Sequence, residues 1–69
     1  MTRIAVSSSN VESVGYDLNT QTLEVEFKNG NIYQYFDVPE AVYNQMVYAD
    51  SAGEFLINNI KGVFRYARV

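Results

Sequence analysis

Residues 22–28 alternate without a break: Leu23, Val25 and Phe27 are apolar, and Glu24, Glu26 and Lys28 are charged. A period of two puts the first set on one face of a strand and the second on the other. Upstream, residues 11–17 read as a strand with Val14 and Tyr16 on one face, and Gly15 between them relieves crowding or marks a bulge. Asp17 and Asn19 suit the turn that follows. If Asp17 pairs with Thr22, Tyr16 meets Leu23 and Val14 meets Val25. Residues 31–36 are a third, aromatic strand. The expected sheet is an antiparallel meander of 11–17, 22–28 and 31–36, one face of which needs a cover. Residues 1–10 are weakly patterned, with Ile4-Ala5-Val6 either a short strand or a frayed arm, so the domain is drawn as 11–69.

After Asp37 the period changes. Pro39 pre-sets φ for a first helical turn and Glu40 complements the positive helix end. Val42, Tyr43, Met46, Val47 and Ala49 then recur at three and four, one face of a helix over 39–49. Ser51 and Glu54 form a capping-box pattern ahead of Phe55, Leu56, Ile57 and Ile60, which predicts a second helix over 52–61 stopped by Gly62. Residues 63–69 alternate again, as a fourth strand or an extended tail that could cover Ile32 and Phe36. The fold class is α+β: a three- to four-stranded antiparallel meander with two short helices packed on one face.

The turn at Asn29-Gly30 decides which way Tyr33 and Tyr35 point, and two geometries compete. A two-residue loop sets Val25 opposite Gln34 and leaves both tyrosines on the outer face. A three-residue loop of Lys28, Asn29 and a left-handed Gly30 sets Val25 opposite Tyr33 and Leu23 opposite Tyr35, which makes the pair core. The first buries the Gln34 amide at a cost of about 1–3 kcal/mol. The second is preferred for that reason; it leaves Gln34 in water, where truncation costs under about 0.5 kcal/mol, and it puts Ile32 and Phe36 outside.

At 69 residues there is room for one domain with a thin core. The chain has no cysteine and no histidine, so disulfides, Cys/His metal sites and imidazole chemistry are excluded. No apolar run approaches a membrane span and no leader-like segment opens the chain, so a cytoplasmic protein is expected. Charge is divided along the chain. Residues 1–54 hold eight acids against Arg3 and Lys28, a net −6, whereas residues 55–69 hold Lys61, Arg65 and Arg68, a net +3.

Catalytic signals are lacking. The serines of 7–9 have no base to activate them, no glycine-rich phosphate loop is present, and Glu24 and Glu26 read as a solvated strand face. The expectation is a protein that is not an enzyme and takes no cofactor and no metal. The excess is in aromatic rings. Where they interleave with bases, at Lys61, Phe64, Arg65, Tyr66 and Arg68, they match what a nucleic-acid surface uses. The same segment also reads as an ordinary solvated chain end.

The order Ser-Ser-Asn-x-x-Ser-x-Gly-Tyr-Asp, Thr-Leu-Glu-Val-Glu-Phe, Asn-Gly, Tyr33-Gln34-Tyr35 and Val38-Pro39 resembles the KTSC family from Ser8 to about Val69. The family takes its name from a position at the C-terminus of lysyl-tRNA synthetase, and most members are stand-alone bacterial or phage proteins of this size. A central Tyr-x-Tyr, here Tyr33 and Tyr35, is its hallmark. The resemblance implies no established activity, and its association with the synthetase suggests RNA. Many members carry more bases near the second helix, where this chain has Asn58 and Asn59. The leading expectation is weak RNA binding through the C-terminal segment. Three phosphate contacts at ~0.7 each imply a log–log salt slope near −2 and a dissociation constant no tighter than about 10⁻⁵ M. The alternative is a protein-interaction module using exposed sheet aromatics or a strand edge, with Ile32 and Phe36 as its surface.

Overall fold

The computed structural model describes residues 1–69. Five strands form one antiparallel sheet in sequence order. They are β1 (Arg3–Ala5), β2 (Val11–Asp17), β3 (Thr22–Phe27), β4 (Ile32–Tyr35) and β5 (Tyr66–Arg68); helices α1 (Glu40–Val47) and α2 (Ala52–Asn59) lie between β4 and β5. The class is the expected α+β. The strand count is higher by one or two, because the N-terminal segment and the tail both become edge strands.

The central meander has the expected register. Asp17 pairs with Thr22, Tyr16 with Leu23 and Val14 with Val25. Leu23 pairs with Tyr35 and Val25 with Tyr33, so the hairpin uses the three-residue loop. Gly30 takes φ +92°, the left-handed conformation that a side chain resists, and the Phe27 N–H closes the loop on the Asn31 carbonyl at 2.8 Å. Gln34 stands outside, as that loop requires. It is not free in water, however, since its Nε2 donates to Glu24 Oε1 at 3.0 Å.

The sequence left Gly15 with two explanations, and the bulge is elsewhere. The register of β2 on β3 shifts between Val11 and Ser13, which makes Glu12 the extra residue. Gly15 relieves crowding: a Cβ there would stand 2.7 Å from the Thr2 carbonyl oxygen and 3.0 Å from Arg3 Cγ. β1 pairs Arg3 with Gly15 and Ile4 with Val14. Of residues 1–10, Arg3–Ala5 are therefore an edge strand of the sheet, the short strand that was one of the two expectations.

The helices cover one face. The core joins Val11, Val14, Leu23, Val25 and Tyr35 of the sheet to Val38, Met46, Ala52, Leu56 and Ile60. Pro39 is the N-cap of α1 and not its first helical residue, with φ −63° and ψ 149°. Ser51 caps α2 as expected, its Oγ accepting from the Glu54 N–H at 3.3 Å. Both helices are two residues shorter at the C-terminal side than the sequence pattern suggests, and Gly62, at φ +81°, turns the chain back toward the sheet. The tail pairs edge-on with β4, Tyr66 opposite Tyr35 and Arg68 opposite Tyr33. It extends the sheet edge-on, and of the expected cover only the Arg65 side chain reaches over the Phe36 ring.

Candidate nucleic-acid interface

Between α2 and the end of the sheet lies a cleft of about 400 Å³. The sheet supplies Phe27, Tyr33, Tyr35 and Tyr66, α2 and the residues after it supply Leu56, Ile57 and Lys61, and Asn10, Asn29 and Asn31 complete the lining. Tyr33, Tyr35 and Tyr66 share one side because strand pairing puts them on adjacent strands in matched register. Their rings touch: Tyr66 lies 5.8 Å from Tyr33 and 5.9 Å from Tyr35, and Phe27 meets Tyr33 edge-on at 5.7 Å. Tyr35 is the buried member at 4% exposure, while Tyr66 is 62% exposed. Burial, then the neighbouring Tyr33 and Tyr66, push the Tyr35 phenol above its ordinary value.

The expected C-terminal contact residues do not form one surface. Lys61 and Tyr66 line the cleft. Arg68 is beside it, its Nη2 donating to Asn31 Oδ1 at 3.0 Å. Phe64 packs against the core. Arg65 turns away: its Nη2 holds Asp37 Oδ2 at 2.7 Å and its guanidinium lies 5.7 Å from the centre of the Phe36 ring. Alternation along the strand separates Arg65 from Tyr66 and Arg68, so at most two of the three bases face a ligand in the cleft.

Tyr33 and Tyr35 belong to the inner face, as the three-residue loop requires, but they also reach the cleft. Leu56, Ile57, Asn10 and Asn31 line the cleft without any site signal in the sequence. Ile57 is visible in retrospect as the apolar α2 residue on the far side of Leu56, and it is 58% exposed. Asn10 carries only a turn signal, and Asn31 opens the third strand.

Elsewhere the polar chemistry is structural. Glu24 and Glu26 on the outer face are held by Arg3, Ser13 and Gln34. No three carboxylates converge. No helix is long and apolar enough to cross a membrane.

A family model described as the KTSC domain matches residues 7–64. An uncharacterized protein from Stutzerimonas stutzeri is 41% identical over 70 residues, spanning 100% of this chain and 99% of its own. A lysine–tRNA ligase from Nostoc sp. is 39% identical over 61 residues, which is 88% of this chain and 11% of the ligase. The crystal structure of a KTSC domain protein from Yersinia pestis superposes with a TM-score of 0.92 at 39% identity, covering 99% of this chain and 96% of that one.

Proposed function

The chain belongs to the KTSC domain family, and from that premise and the cleft we propose that it is a non-enzymatic module that holds single-stranded RNA weakly, in the cytoplasm. One observation carries the reading. The exposed Tyr66 ring rests against Tyr33 and Tyr35 in a cleft that also contains Lys61. An exposed ring on a strand offers a stacking surface to an unpaired base, and a nearby ammonium offers a phosphate partner. The likeness to part of a protein named as a lysine–tRNA ligase supports RNA as the ligand class.

The footprint is smaller than the sequence suggests. With Arg65 on the other face of the strand beside Asp37, Lys61 and Arg68 are the cations at the cleft. Two phosphates at ~0.7 each predict a log–log salt slope near −1.4 in place of −2. The net −6 on residues 1–54 opposes binding, so a dissociation constant of about 10⁻⁵ M or weaker is expected at physiological salt.

Fluorescence anisotropy with a labelled single-stranded oligonucleotide at low and physiological salt tests this. Tyr66→Ala is expected to weaken binding about fivefold or more, the stacking value of one base. Lys61→Ala lowers the salt slope, and Arg65→Ala leaves affinity unchanged. Absence of binding at low salt overturns the reading. The alternative of a protein partner has less to stand on, because Phe36 is covered by Arg65 and both edge strands are three residues long.

A further inference from the structure

The geometry points to a cleft that is selective for a base presenting carbonyl oxygens, uracil before adenine or cytosine. This rests on the single-stranded RNA reading and adds to it which base is held.

Three asparagines, Asn10, Asn29 and Asn31, stand in the cleft wall. Each has its amide oxygen engaged by a donor from the protein. Asn29 Oδ1 accepts the backbone N–H of Asn31 at 3.0 Å. Asn31 Oδ1 accepts from the Arg68 guanidinium at 3.0 Å. Asn10 Oδ1 pairs with the Ser8 hydroxyl at 2.8 Å. In that last pair the direction is fixed, because Ser8 Oγ already accepts the backbone N–H groups of Asn10 and Val11, and its remaining capacity is as a donor.

These bonds settle the orientation of all three amides. In each, the oxygen is committed and the NH₂ is the free end. Lys61 adds an ammonium, which only donates. The hydroxyls of Tyr33, Tyr35 and Tyr66 make no hydrogen bond within the protein and can donate or accept. No carboxylate lines the cleft. The wall is therefore rich in donors and poor in acceptors, and the complementary ligand is rich in acceptors.

A cleft of about 400 Å³ lies at the small end of the ~300–1,000 Å³ range of ligand sites. That size suits one extruded base with its sugar and not a stacked run. Uracil carries two carbonyl acceptors flanking a single N–H, which a phenol oxygen can take. Adenine and cytosine each present an exocyclic amine in place of a carbonyl, which only the phenol oxygens can accept and which the amide NH₂ groups and Lys61 cannot satisfy.

The test compares short oligouridylate, oligoadenylate and oligocytidylate by anisotropy at low salt. Oligouridylate is expected to bind about five- to tenfold tighter than the other two, the worth of one good base-edge contact. Asn29→Asp and Asn31→Asp keep the oxygen that accepts from Asn31 N–H or Arg68 and replace the free NH₂ by an acceptor. Each is expected to leave the fold intact and bring the uridylate-to-adenylate ratio to about one. Asn58→Asp, the same charge change on exposed α2 surface outside the cleft, is expected to lower both affinities and leave the ratio alone. Equal binding of the three oligonucleotides by the native chain overturns the uracil inference while leaving the RNA reading in place, and so does a preference for adenylate. Loss of the ratio in Asn58→Asp also overturns it. Failure of every oligonucleotide to bind removes both.

Discussion

Tyr16 and Tyr35 face the same core and use their hydroxyls differently. Tyr16 stacks on Tyr43, with ring centres 5.0 Å apart and planes inclined by 14°, and its hydroxyl donates to the Val38 carbonyl. The Tyr35 ring is nearly fully enclosed, yet its hydroxyl reaches the cleft without a protein partner. Tyr16→Phe is expected to cost about 1 kcal/mol, because the Val38 carbonyl loses its donor. Tyr35→Phe is expected to cost less than about 0.5 kcal/mol, whereas Tyr35→Ala, which empties the core, costs about 3–5 kcal/mol. Gln34→Ala belongs near 1 kcal/mol and not below half that, since Gln34 steadies the Glu24 carboxylate. Urea melts with unchanged m-values rank the four; Tyr35→Phe more costly than Tyr16→Phe contradicts the assignment of the hydroxyls.

At the scale of elements, the first strand is one of two three-residue edge strands. β1 has three residues and an exposed apolar Ile4. What secures it is an arm across the outer face. Arg3 pairs with Gly15, and Gly15 pairs in turn with Glu24 on β3. Because Gly15 has no side chain, the Arg3 guanidinium crosses over β2 to meet Glu24 Oε2 at 2.8 Å and Glu26 Oε1 at 3.8 Å. The Glu24 side chain is 14% exposed, so this pair is screened less than an open surface bridge. Arg3→Ala is expected to lower stability by about 0.5–1.5 kcal/mol. It should also speed amide exchange in the β1–β2 ladder selectively, leaving β3–β4 protection near its native value. Uniform loss of protection across the sheet would show that β1 is not a separable unit.

For the molecule as a whole, alkaline pH is the informative stress. Burial raises the phenol of Tyr16, with Glu40 and Asp17 adding to it, and burial raises Tyr35 and Tyr43 as well. A raised value means that the folded state keeps a proton the unfolded chain releases near pH 10, the ordinary value for tyrosine. Above that point the unfolded state binds fewer protons and stability falls with rising pH; below it the contribution is complete. Denaturant midpoints are expected to show no pH dependence from these groups up to about pH 10 and to drop beyond it. The tyrosinate absorbance of Tyr16, Tyr35 and Tyr43 is expected to appear at higher pH than that of the unfolded chain.

The sequence by itself determined the meander and both helices. The period of two in 22–28, the spacing of three and four in 39–49 and the Ser51 cap are local signals, each readable within a few residues. It also narrowed the hairpin to two registers, since burial of Gln34 disfavoured one, and the left-handed Gly30 shows the three-residue loop. The tertiary structure alone decided the edges and the cleft. β5 is three residues long and none of them is buried, so no hydrophobic face announces it, and its position follows from the turn at Gly62 and pairing with β4. The diversion of Arg65 to Asp37 joins residues 28 apart in the chain, and Arg68 meets Asn31 across 37. Which side of a short strand each base occupies depends on a register set by that distant pairing. A residue list at the C-terminus cannot contain that information, because alternation sends neighbours to opposite faces and only the partner strand says which face is which.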